Sequence, residues 1–146
     1  MSRPKVKTKG DIEMIIDKDL VLSDAQAITT DAASTEYINM GTAGVAAYPC
    51  TLVLRCNTTF DSATDAATLT VKLQSDSASG FATALVTHYT SDVLAVGSAS
   101  LTAGGMIKIP LPPGLKEFVR VYYDNGTEAF SAGKMDAFIV KDVDLA

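Results

Sequence analysis

Apolar residues in this chain recur at every second position, in short runs closed off by turn residues, and that period commits it to β-structure. The clearest run is Thr68-Leu69-Thr70-Val71-Lys72-Leu73-Gln74: Leu69, Val71 and Leu73 point one way, and Thr68, Thr70, Lys72 and Gln74 the other. Threonine suits the outward positions because its branched Cβ fits a pleated surface. Met106 to Leu111 repeats the alternation, with Pro110 restricting that strand to a sheet edge or end. Thr51 to Cys56 sets Leu52, Leu54 and Cys56 against Val53 and Arg55. Glu117 to Tyr123 is apolar on both sides except at Arg120, which predicts a central strand or one whose outer face meets another chain. Met135 to Val140 reads similarly. Ala84 to Tyr89, Met14 to Ile16 with Leu20 to Leu22, and Thr35 to Met40 bring the total to about eight strands.

Helical signals are weak. Ser23-Asp24-Ala25-Gln26-Ala27 opens like a helix with Ser23 as its N-cap, but the β-branched Ile28-Thr29-Thr30 stops it. Loops are predicted at 41–44, 75–80, 104–105, 112–114 and 124–126, where Asp124-Asn125-Gly126 favours a left-handed turn. Eight short strands in 146 residues imply two packed antiparallel sheets, a sandwich of jelly-roll type. A chain of this length buries roughly 68–70% of its unfolded surface, so it folds without a metal or disulfide staple. Its side chains are small: Ala, Gly, Ser and Thr supply 57 residues and Trp none, a poor inventory for catalysis and a good one for thin, close-packed sheets.

The charge is unevenly placed. Arg3, Lys5, Lys7 and Lys9 give residues 1–9 four positive charges and no acid, which leaves −9 on the rest of a chain whose total is −5. A body so acidic is a poor binder of nucleic acid, since phosphate binding rests on Lys and Arg. The domain division is therefore a basic arm over residues 1–10 and a β-sandwich over residues 11–146. The arm is too short and too charged to fold alone; it is either a solvated tail or a segment ordered by an acidic partner surface.

Cys50 and Cys56 sit about 20 Å apart along one strand, far outside the roughly 7 Å reach of a disulfide. With His88 the only histidine they fit no zinc spacing, so two reduced thiols are expected, in keeping with a chain made and kept in a reducing cytoplasm. The basic start runs into Asp11, Glu13 and Asp17 where a secretory signal needs an apolar stretch. The uncharged stretch from Tyr37 to Leu54 is broken by Asn39, Gly41, Gly44 and Pro49, so no membrane span is expected.

Several short pieces, taken in order, carry a family resemblance. Leu20-Val21-Leu22-Ser23-Asp24-Ala25-Gln26-Ala27-Ile28 precedes Ser34-Thr35 and Ile38-Asn39-Met40-Gly41; then come residues 69–75, Ile109-Pro110-Leu111-Pro112, Val119-Arg120-Val121-Tyr122-Tyr123 and Asp136-Ala137-Phe138-Ile139-Val140. This order resembles the jelly-roll cement (decoration) proteins of bacteriophage heads, the family of the cement protein of the short-tailed Bordetella phage, over Ile15 to Asp142. The resemblance implies a virion protein on the outer capsid surface that ties neighbouring major capsid protein subunits together against internal DNA pressure. It also implies self-association, usually as a dimer over two-fold positions, with a trimer as the other choice. The basic arm lies outside the family's pattern.

Candidate site residues follow from both readings. Arg3, Lys5, Lys7 and Lys9 are assigned to a capsid-binding arm, and Phe118, Arg120 and Tyr122 to a face for self-association or capsid contact. No catalytic residues, metal ligands or cofactors are predicted: His88 has no nucleophile or orienting acid in a recognisable pattern, and Asp11, Glu13, Asp17 and Asp19 lack a calcium-loop spacing. Phe60 and Phe81 fall in polar loops, either as plugs of the sandwich ends or as exposed assembly contacts. The other functional class open to such a sandwich is glycan or receptor binding, disfavoured by the absence of tryptophan.

Overall fold

The computed structural model describes residues 18–41 and 50–141. The arm residues Arg3, Lys5, Lys7 and Lys9, the acids Asp11, Glu13 and Asp17, and the expected strand piece Met14–Ile16 lie outside them. The described chain forms ten strands: β1 (Val21–Ala27), β2 (Ala32–Ala33), β3 (Ile38–Asn39), β4 (Cys50–Ser62), β5 (Thr68–Asp76), β6 (Val86–Thr90), β7 (Leu94–Ala95), β8 (Met106–Pro110), β9 (Phe118–Asn125) and β10 (Phe130–Lys141). Short 3-10 turns occur at Lys18–Leu20 and Ala99–Leu101.

All pairings are antiparallel. The smaller sheet has the order β1-β10-β4-β8 and the larger β2-β9-β5-β6, with β3 also on β9 and β7 also on β5. The register shows that the short pieces are halves of longer strands. β2 lies along Tyr122 and Tyr123 and β3 along Phe118 and Val119 of the same β9. β6 lies along residues 72–75 and β7 along Thr68 and Leu69 of the same β5. Counted this way the ten segments are eight strands, four to a sheet. Along the chain the path alternates between the two sheets, except that β5 and β6 follow one another as neighbours in the larger one, which is the jelly-roll arrangement. β8, with Pro110, lies at a sheet edge as expected.

Alternation fills the space between the sheets. Leu52, Leu54 and Cys56 of β4, Leu69, Val71 and Leu73 of β5, Val119, Val121 and Tyr123 of β9, and Ala137 and Ile139 of β10 join one buried core. Full burial of each large aliphatic side chain contributes about 1.5–3 kcal/mol. Tyr123 is fully buried with its hydroxyl donating to Ser23 Oγ at 2.9 Å; burial pushes its phenol well above the usual range. Val53, Phe138 and Val140 form a second buried cluster on the other side of the smaller sheet.

Four local expectations are corrected. Ser23–Ala27 continues β1 and opens no helix. Ala25, at φ 45°, bulges so that its N–H reaches Asp136 Oδ1 at 2.6 Å, a tertiary bond that outweighs the local capping signal. The strand expected over Thr35–Met40 is only Ile38–Asn39, because the backbone of residues 34–36 crosses between sheets: Ser34 N bonds Val121 O and Glu36 N bonds Leu22 O. Phe60 is in β4 and not in a loop, edge-on to Phe130 with centroids 4.9 Å apart. Its ring covers Gly133, where φ is +140° and a Cβ would collide with it. Asn125 and Gly126 make no left-handed turn. Asn125 stays in β9, its amide donating to Thr68 O and Glu128 O, and Gly126 is needed because any Cβ there would meet the Thr68 side chain.

Cys50 and Cys56 are free thiols, the second buried, and burial raises its pKa. No helix among the described residues is long and apolar enough to cross a membrane.

Candidate functional site

Because Val119, Val121 and Tyr123 face the core, β9 must present Phe118, Arg120 and Tyr122 on the outer face of the larger sheet, and all three are half-buried there. Arg120 is the centre. Its Nε donates to Gln74 Oε1 of the neighbouring β5 at 2.9 Å, and Gln74 stands opposite it in the register. Its guanidinium carbon lies 4.5 Å from the centroid of Phe81 and 5.4 Å from that of Tyr122. Tyr37 extends the cluster, edge-on to Phe118 at 5.6 Å and to Phe81 at 6.1 Å. Phe81 is 8% exposed and Tyr37 48%, so the patch has a buried floor and an open rim.

Phe81 reaches Arg120 from the loop between β5 and β6, in a conformation (φ 54°) that bulky residues seldom adopt. The loop is held there by Asp76, whose carboxylate is buried at 0% exposure. It accepts the N–H groups of Ala78, Thr83 and Ala84 at 3.1 Å and the hydroxyl of Ser77 at 3.3 Å. Burial alone would raise its pKa, but these donors favour the charged form and hold it below the usual carboxylate value. Lys116 Nζ, donating to Ala84 O, ties the far end of the loop.

Arg120 forms no ion pair with a described residue; the ion pairs there are Arg55–Asp136 and Lys72–Asp124. Burial lowers its pKa, while Tyr122 and Asp76 act in the opposite sense. Beside it Lys72 meets Asp124 at 2.8 Å, and that hydrogen bond raises the lysine pKa. Beyond Tyr37 a surface groove of about 470 Å³ runs between Lys18, Asp19, Asp24 and Glu36.

His88 has a partner that the sequence did not indicate: its Nε2 lies 2.6 Å from Ser75 Oγ, which also accepts the Lys116 N–H at 3.0 Å. Ser75 is 0% exposed, so its hydroxyl serves this bond and meets no solvent. Burial first, and Lys116 second, lower the His88 pKa. Among the described residues no group of three or more His, Cys, Asp or Glu side chains converges as a metal site.

The structure thus brings Phe118, Arg120 and Tyr122 onto one face. It adds Tyr37, Gln74 and Asp76, which sequence reasoning missed, and Phe81, which it had read either as a plug of the sandwich end or as an assembly contact. One cue was present: an Asp-Ser pair opening a small-residue loop is where a side chain accepts backbone amides. The model of the Bbp16 family matches residues 22–139, from β1 through β10. The chain belongs to the Bbp16 family. The match spans both sheets and includes every residue of the Arg120 cluster, while the basic arm falls outside it. No curated protein matches the chain. The family is phage-related, which fits a virion-associated, all-β structural protein.

Proposed function

We propose that this protein is a capsid cement protein, one that binds the outer surface of a phage head, ties neighbouring major capsid protein subunits together and acts by adhesion without catalysis. The observation that carries the reading is the outer face of the larger sheet: a braced aromatic and cationic patch on the most regular part of a Bbp16-family jelly roll. Aromatic residues and arginine are the types enriched in protein–protein contacts. Self-association, as a dimer or trimer, multiplies such contacts, and multivalent attachment raises avidity without any single strong bond. The basic arm, with Arg3, Lys5, Lys7 and Lys9, adds charge-complementary contacts to the head, and the acidic body keeps free copies apart.

The test is co-sedimentation of the purified full-length chain with expanded heads lacking it, followed by electron cryomicroscopy of the decorated particles. Density outside the capsid shell, bridging adjacent subunits, is the expected result. Deleting residues 1–9 should reduce occupancy and flatten its dependence on salt; unchanged binding at every salt concentration removes the arm from the reading. Glycan-array binding without any binding to heads would replace the reading with a receptor-binding role.

A further inference from the structure

We infer that Arg120 is a preformed receptor for a single carboxylate, an Asp or Glu side chain on the protein surface against which the larger sheet docks. This inference rests on the adhesion reading above and names the chemistry of its contact.

Three observations converge on it. First, Arg120 is half-buried, its Nε is fixed by Gln74, and its guanidinium is held beside Phe81 and Tyr122; no described carboxylate pairs with it. A guanidinium presents five donors in a planar fork that matches a carboxylate, and a neutral amide oxygen occupies one of them. Secondly, the fold holds this geometry against local preference: Phe81 stays at φ 54° because the buried Asp76 gathers the loop amides around one carboxylate. A bulky residue kept in a sparsely populated conformation beside a cation that no described carboxylate pairs is preorganisation, since side-chain ordering is then complete before binding. Thirdly, burial already disfavours the charged form of Arg120, so an incoming carboxylate gains a partner that water solvates poorly.

The surroundings select the partner. The rings meet edge-on, with interplanar angles of 67° and 76°, so they form an interlocked apolar rim and not the flat platform on which a sugar stacks. Asp76 lies diagonally across the ladder from the arginine, opposite Phe118, and the chain apart from its arm carries −9. A polyanion is repelled there; one carboxylate set among apolar groups is accommodated.

The test uses the full chain as wild type, Arg120→Lys and Arg120→Ala, in co-sedimentation with undecorated heads, and melting temperatures of each variant. Both variants should weaken binding about 30-fold or more while melting within about 5 °C of wild type. Lysine keeps the charge but lacks the fork, so wild-type affinity in Arg120→Lys overturns the inference, as does wild-type affinity in Arg120→Ala. A second arm stands independently of heads: side-chain NMR of Arg120 Nε–H during titration with acetate, with a glutamate-rich peptide and with N-acetylneuraminic acid. A saturable shift with acetate and the peptide supports a protein carboxylate. A shift with the sugar acid alone, or none at all, overturns it. Failure of wild type to bind heads, together with a peptide-induced shift, would discard the capsid reading and leave the carboxylate site standing.

Discussion

Arg55 and Arg120 stand on opposite outer faces of one sandwich, each on a strand interior to its sheet. Arg55, on β4, sends Nε and Nη2 to Asp136 Oδ2 at 3.2 and 2.9 Å. Asp136 stands directly opposite it on β10 and also holds the bulged Ala25 N–H. The residue opposite Arg120 on β5 is Gln74, a neutral acceptor. Around Arg55 the apolar neighbours Val53 and Phe138 are buried, whereas around Arg120 the rim reaches solvent at Tyr37. A cross-strand carboxylate closes the first face within the fold; an amide leaves the second open to a partner. On the proposed reading, two chemically identical side chains divide into a structural one and an adhesive one through the residue across the ladder.

The sharpest way to break that contrast is to remove the acceptor of the first arginine and the side chain of the second. Asp136→Ala strips the partner from Arg55 and leaves the Ala25 N–H unsatisfied. The expected loss is about 1–3 kcal/mol of unfolding free energy in urea titration, with head binding by folded protein retained. Arg120→Ala gives up its ring contacts, about 0.5–1 kcal/mol, and one bond to the neutral Gln74, about 0.5–1.5 kcal/mol, and loses head binding as well. Equal stability losses in the two variants would mean that Arg120 is another structural residue.

Asp76 offers the next test, because it braces one face only. Asp76→Asn halves the acceptor capacity that Ala78, Thr83 and Ala84 share. Hydrogen exchange should show these amides losing protection, with head affinity falling as Phe81 leaves its strained position. Amides of β4 and β10 should keep their wild-type rates. The carboxylate's depressed pKa means that its contribution is present above the ordinary value of 3.8 and disappears as pH falls through the lower folded value. Loop protection in wild type should therefore survive at pH 5 and fail only in stronger acid.

These contrasts also mark how far the sequence can be read. Alternation in β4 and β5 foretold which residues enter the core, because a one-residue slip would move every Leu and Val to the wrong side; in β9 and β10, apolar on both sides, only the polar Arg120 marked the outer face of β9. For the same reason Phe118, Arg120 and Tyr122 were legible as one outward stripe. What escaped was whatever depends on another part of the chain: the Ala25 bulge drawn by Asp136, the split of the edge strand at 34–36, and Phe81 folding over a strand some forty residues away. Local composition marked Ser75–Gly80 as a loop, although Ser75 and Asp76 belong to β5, and nothing within that loop says which face it leans on. The arm was clear as a run of charge, and its residues lie outside those described.

The smallest expected effect concerns His88, which sits under the loop that carries Phe81. Its ring bonds Ser75 Oγ, and Lys116, whose ammonium holds Ala84 O, is the nearby cation that disfavours a second positive charge. With the folded pKa below the ordinary 6.5, the unfolded chain takes up its proton first as pH falls. The stability linked to neutral His88 is therefore complete above pH 6.5 and is lost as pH drops from there through the folded value. Thermal melts between pH 7.5 and 5 should show a decline in wild type that His88→Gln, which keeps a polar partner for Ser75 without titrating, reduces. In exchange measurements the loss should appear first at Thr83 and Ala84 and leave the Arg55 face unmoved. An identical decline in both proteins would show that acid weakens the sandwich as a whole, and that the two faces do not respond separately to pH.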